Sequence, residues 1–236
     1  MRKVSASAGY AVLFLIVCTV QPLSAQSASN DSTKRFFDLT AGLGISIQSA
    51  PLLANYINAL AQPTLDQKVD QFNSVAEFYF VPELQVSKEW SAAIEYSLLI
   101  KSYSINSSSG FGRTDISYEV QMPSVLVHYL VFGEGFRLKL GGGVGYHFVK
   151  FDEAFSSTGS GETLRTNGLG FKLDAIGNTK FDETFYGSIG VDLRWDFLGS
   201  LSRGAQAVQS TRSGPDLPKM TFFTAGVKFG VTFQLF

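Results

Sequence analysis

From Phe37 onward the chain alternates. Phe37, Leu39, Ala41, Leu43, Ile45 and Ile47 fall on one parity; Asp38, Thr40, Gly42, Gly44, Ser46 and Gln48 fall on the other. Period two is the pattern of a β-strand with one apolar and one polar face, and a helix does not sustain it over six repeats. The pattern recurs from Ala76 to Val86 and from Trp90 to Ile100. It is blurred from Pro123 to Val131 by Leu126 and Leu130, and returns from Phe136 to Phe148, Leu169 to Ala175, Phe185 to Phe197 and Phe223 to Leu235. Each segment is long enough to cross a bilayer as a tilted strand, which takes about 9–11 residues. The connectors differ in length: 50–73 and 199–219 are long, 105–114 and 152–162 medium, and 87–89, 132–135 and 179–184 short. Short turns on one side and longer loops on the other are the habit of membrane barrels. The expected fold is all-β: a transmembrane antiparallel up-and-down β-barrel of eight strands, both termini on the short-turn side.

Hydropathy agrees with that expectation. Its mean is slightly positive, yet nothing after residue 25 runs apolar for the eighteen or so residues of a membrane helix. Apolar residues spread in alternation suit a chain whose every second strand residue faces lipid. Aromatics gather where short turns meet strands, at Phe37, Trp90, Tyr129, Phe136, Phe185 and Phe233, as an interfacial girdle would. Mid-strand Pro82 and Pro123 cannot donate to a ladder and mark bulges or kinks.

The first residues read as a secretory signal: Arg2 and Lys3, an apolar core from Ala11 to Val20, and cleavage after Ala25. Cys18 lies inside that core, preceded by Val17, where a lipoprotein signal needs a small residue. Residues 26–35 are polar and read as a flexible leader, leaving 36–236 as the barrel domain. Without Arg2 and Lys3, 17 of the 19 basic residues face 20 acidic ones, a net charge near −3 that argues against nucleic acid as a partner. The exported part has no cysteine, so neither disulfides nor thiolate metal sites are expected.

The polar parity carries charges of both signs: Asp38, Glu77, Glu83, Glu95, Lys101, Arg137, Lys139, Lys172, Asp174, Asp192, Arg194, Asp196 and Lys228. In a lumen only wide enough for side chains these should pair across strands as a charge network. A proton or ion path is the alternative. His128 and His147 fall near opposite ends of the barrel, so no shared metal is expected. Gly141, Gly143 and Gly145 share a face with His147 and relieve crowding; no helix start follows that would make them a phosphate loop. Leu52 to Leu60 reads as a short helix in the first external loop. Its apolar stripe of Leu52, Leu53, Tyr56, Ile57 and Leu60 would lie on the rim, enter lipid, or cap a ligand cleft.

The last residues resemble the terminal signal of outer-membrane barrels, with Lys228, Gly230, Phe233, Leu235 and Phe236 on its positions. The resemblance implies recognition by the barrel-assembly machinery, with periplasmic chaperones on the way. More broadly, Tyr118 to Tyr129 and the glycine-rich Leu140 to Phe148 resemble small OmpA- or OmpX-like, porin-like barrel proteins of Bacteroidetes-type bacteria. That implies an integral outer-membrane protein of a Gram-negative cell envelope, with membrane lipid and lipopolysaccharide as neighbours and periplasmic termini. Neither a cofactor nor a catalytic set is expected: His128 lacks the nearby serine of lipid-modifying barrel hydrolases. A structural or surface-interaction barrel leads. A transport barrel, either a narrow pore or a lateral-exit channel for small hydrophobic molecules, follows, and a lipid-modifying enzyme comes third.

Overall fold

The computed structural model describes residues 36–61, 72–106, 113–155, 160–203, 206–207 and 219–235. The expected signal peptide, the leader and Phe236 lie outside the described residues. Eight long strands run in chain order: β1 (Phe37–Ser49), β2 (Phe72–Gln85), β3 (Trp90–Asn106), β4 (Arg113–Gly133), β5 (Phe136–Phe155), β6 (Ser160–Lys180), β7 (Phe185–Ser200) and β8 (Lys219–Gln234). One helix, α1 (Pro51–Ala61), follows β1. Two-residue strands Ser202–Arg203 and Gln206–Ala207 lie between β7 and β8. Each long strand pairs antiparallel with its chain neighbour, and β1 closes the sheet onto β8, with Leu39 opposite Phe233 and Ile45 opposite Val227. The result is a closed eight-stranded up-and-down barrel. The turn between β4 and β5 is tight enough to put Gly135 at φ 75°, a conformation glycine takes without strain.

The faces follow the alternation. Leu43, Ile45, Phe78, Phe80, Val125, Val144, Leu173 and Val191 point outward and are exposed. A contiguous apolar outer surface of this extent requires an apolar surrounding. Aromatic pairs border it at the turn end, Trp90 with Tyr129 and Phe185 with Phe233. A second aromatic group borders the opposite edge: Tyr146 with Phe148, Phe171 with Phe197, and Trp195 with Phe223. Leu126 and Leu130, which blurred the fourth segment, point inward and are buried.

The strands outrun the sequence expectation. β4 has 21 residues and β5 has 20, about twice what a membrane crossing takes. The strands therefore reach into both medium connectors, over 105–106 and 113–114 in the first and over 152–155 and 160–162 in the second. Parity persists through this extension but polarity inverts. On β4, Ile116, Tyr118, Val120 and Met122 point inward and are buried, while Gln121 and Glu119 face outward. On β5, Val149 and Phe151 point in while Lys150 points out. Below this level the wall is apolar outside and polar inside; above it, the reverse. The inversion marks where the barrel leaves lipid for water, and it places the main apolar core inside the upper barrel.

Candidate functional site: the occluded lumen

The lumen is filled at three levels. At the turn end Phe36, just before β1, tucks inward and is buried. The Arg137 guanidinium lies 3.9 Å from its ring centroid and 5.3 Å from that of Tyr186. Phe36 O accepts from Gln85 N at 3.1 Å, which ties this residue to the end of β2.

The middle level is one connected chain of charges. Arg137 pairs with Asp38; Lys139 joins Asp38 at 3.2 Å to Glu83. Glu83 accepts from Ser91 Oγ at 2.5 Å and faces His128 Nδ1 at 3.0 Å. His128 Nε2 stands 3.2 Å from Asp174, an ion-pair contact without hydrogen-bond geometry. Lys172 links Asp174 at 3.0 Å to Glu95 at 2.5 Å. Glu95 meets Arg194 at 3.5 Å and Lys228 at 3.4 Å. Those two cations share Glu77, at 3.0 and 2.7 Å, and Asp192, at 3.0 and 3.6 Å. All these side chains are buried. The chain draws on every strand of the barrel, so moving one member leaves another charge unpaired in a low-dielectric space. Between the ions, Tyr79, Val81, Ala93 and Leu126 pack together. The cavity beside them, lined by Glu83, His128 and Lys139, has room for a water or two and nothing larger.

The upper level is largely apolar. Leu53 and Ile57 of α1 enter the apolar cluster formed by Ile116, Tyr118, Val120, Met122, Val149, Phe151, Leu164, Leu198 and Phe222. The Tyr56 hydroxyl donates to Glu153 at 2.8 Å; burial and the Glu153 carboxylate push that phenol above its ordinary range, so it remains a donor. Tyr118 donates to Gln48 below the helix. Of the α1 residues in the expected stripe, Leu52 is exposed and the Leu60 side chain lies outside the described residues. The helix closes the lumen from above instead of lying at the lipid surface.

A smaller set stands beside the ion chain. Ser124 on β4 faces His147 Nε2 on β5 at 3.2 Å, and His147 Nδ1 faces Asp196 Oδ1 on β7 at 2.5 Å. Two glycines make room for the ring: a Cβ on Gly145 would lie 2.5 Å from Nε2, and one on Gly170 would lie 2.1 Å from Cε1. Among the described residues, no group of histidine, cysteine and carboxylate side chains could hold a metal ion.

Several placements differ from the sequence reading. Lys101 does not join the charge network. β3 continues to Asn106, so residue 101 lies beyond buried Leu99, half-exposed, and donates to Ser74 O at 2.6 Å. Of the terminal-signal positions, Lys228 is a member of the ion chain, Gly230 accommodates Tyr79, and Phe233 and Leu235 face outward. Sequence reasoning missed Phe36, although parity with Asp38 puts it inside. It also missed Ser124 beside His147, because only the pairing of Ser124 with Gly145 brings the two together.

No family model matches the chain, and no curated protein matches it. Among solved structures it is similar to Neisserial surface protein A, at 10% identity over 84% of this chain and 96% of that one, with a TM-score of 0.51. Ail of Yersinia pestis gives 13% identity, 85% and 98% coverage and a TM-score of 0.48. The outer membrane protein OprG from Pseudomonas aeruginosa gives 13%, 85%, 95% and 0.47. Likeness at these identities concerns the fold, and nothing in it singles out a Bacteroidetes-type group. The chain has the fold of a small outer-membrane β-barrel.

Proposed function

We propose that this protein is an integral outer-membrane barrel with a structural or surface-interaction role, and that it does not conduct as an open pore. One observation carries the reading: the lumen is filled in series by Phe36 and Arg137, by the ion chain, and by the α1 plug. Eight strands leave only enough interior for side chains, and here those side chains are tied to one another. The outward apolar surface takes membrane lipid as its neighbour. The polar extension of β3 to β6 stands above it, where lipopolysaccharide and surface partners lie. In this orientation the short turns, the start of β1 and the end of β8 face the periplasm.

Planar-bilayer recording of the purified, folded protein tests the reading. The expected trace has no steady ohmic conductance at physiological salt. A large, stable, ion-selective current would sink the proposal and put transport first.

A further inference from the structure

The two luminal histidines differ in a way that bears on chemistry. His128 stands between two carboxylates, with Nδ1 3.0 Å from Glu83 and Nε2 3.2 Å from Asp174. His147 has one carboxylate and one hydroxyl. With Nδ1–H donated to Asp196, Nε2 is left to accept from Ser124 Oγ–H. That tautomer is what a general base toward a serine needs. Gly145 and Gly170 fit the ring so closely that its position is set by backbone.

We propose that Ser124 and His147, with Asp196 as positioning residue, form a nucleophilic acyl-transfer site whose substrate is an ester of an apolar acyl chain. The acyl preference comes from the surroundings. The next inward positions on the same three strands are Met122, Val149 and Leu198, all in the apolar upper cluster. A cation lies on the same side: Arg194 Nη1 reaches Met122 Sδ at 3.0 Å, one same-face step along β4 from Ser124. In the reaction, Ser124 Oγ bonds to the ester carbonyl carbon as its proton passes to His147 Nε2. The carbon–alkoxy bond breaks and the alcohol leaves with that proton. Water, deprotonated by His147, then cleaves the acyl–Oγ bond, releasing the carboxylic acid and restoring the serine. Leu53 and Ile57 of α1 belong to the same buried cluster as Met122, Val149 and Leu198, so the site is latent until α1 withdraws. The proposal rests on the occluded-lumen reading in that respect alone.

The test uses a short alkyl sulfonyl fluoride on the folded protein, with modified serines located by peptide mass mapping. Ser97 and Ser188 serve as internal controls: both are buried luminal hydroxyls, bonded to Glu95 and Asn178 and not to an imidazole. Ser124 should be modified selectively, and faster in the Leu53→Ala/Ile57→Ala variant. His147→Gln should slow modification roughly 10²–10⁴-fold, the usual contribution of a general base. Asp196→Asn should slow it too, with Asp196→Glu restoring part of the rate, while all variants keep the heat-modifiable migration of a folded barrel. If Ser124 reacts no faster than Ser97 and Ser188, in both the native and the plug-weakened protein, the proposal is overturned. Bilayer recording is independent of this result, so the two readings fail separately.

Discussion

Tyr79 shows how much of this lumen depends on what its neighbours lack. Its hydroxyl lies over two glycines: a Cβ on Gly230 would come within 2.4 Å of Tyr79 Oη, and one on Gly42 within 2.7 Å. The two contacts differ in kind. The Gly230 clash is led by the end of a side chain, with Ala41 O at 2.7 Å behind it, whereas the Gly42 clash is led by the backbone oxygen Phe229 O at 2.1 Å. Gly230→Ala should therefore cost about 1–3 kcal/mol, the usual range for overpacking, and Tyr79→Phe should recover part of that loss. Gly42→Ala should cost at least as much and recover less from the same second change, because the Phe229 O clash remains. A double-mutant cycle in urea-driven unfolding from lipid vesicles measures both; equal recovery for the two glycines would refute the assignment. Parity placed Tyr79 and Gly230 on the inner face from sequence alone. That they touch was illegible, because contact across β2, β1 and β8 depends on register. The same holds for Ser124 and His147. Their residue types and faces could be read, but not the pairing that joins them, which lies beside the ladder gap at Pro123.

The strands were legible wherever one face was apolar and the other polar, which covers the half of the barrel that lipid surrounds. Their upper ends were not, because there the apolar residues change sides while the period stays the same. The stretch from Ile116 to Met122, just before Pro123, lacks the outward apolar face by which the lower strands are read. α1 was legible as a helix from Leu53, Tyr56 and Ile57, but its destination was not, since an apolar stripe alone does not say what covers it. In the folded barrel Leu53, Ala54 and Ile57 are buried, and Tyr56 donates a hydrogen bond to a carboxylate. Hydrogen bonds to charged groups are worth about 1.5–3 kcal/mol. Tyr56→Phe should loosen the helix by about 1–2 kcal/mol without unfolding the barrel. Amide hydrogens across Leu53–Asn58 should then exchange roughly five- to thirtyfold faster, while those of β5 and β6 are unchanged. Uniform acceleration over the whole sheet would mean that α1 is part of the global fold and not a separable plug.

At the scale of the whole molecule the barrel is two proteins stacked end to end on one set of strands. The lower half is built for lipid, with ions inside and aliphatic side chains outside; the upper half is built for water, with an apolar core and a polar skin. The change occurs within four residues on β4, between Val125, 58% exposed on the apolar surface, and Gln121 on the same face above it. Gln121 Nε2 donates to Glu119 at 2.7 Å, a surface contact that needs no burial. Arginine separates the two zones sharply. At mid-bilayer on a lipid-facing strand it costs about 2–4 kcal/mol, falling to about 0–1 near the interface. On a water-exposed strand face it costs within about 0.5 kcal/mol. Val125→Arg should therefore destabilise the barrel by about 2–4 kcal/mol in reversible folding into phosphatidylcholine vesicles, and Gln121→Arg should leave stability nearly unchanged. Both substitutions add the same charge to the same face of the same strand, so a difference between them reports only the surrounding medium. Equal costs of about 2–4 kcal/mol would place both residues in lipid, and the boundary drawn by the inversion of polarity would have to move up β4 toward Arg113.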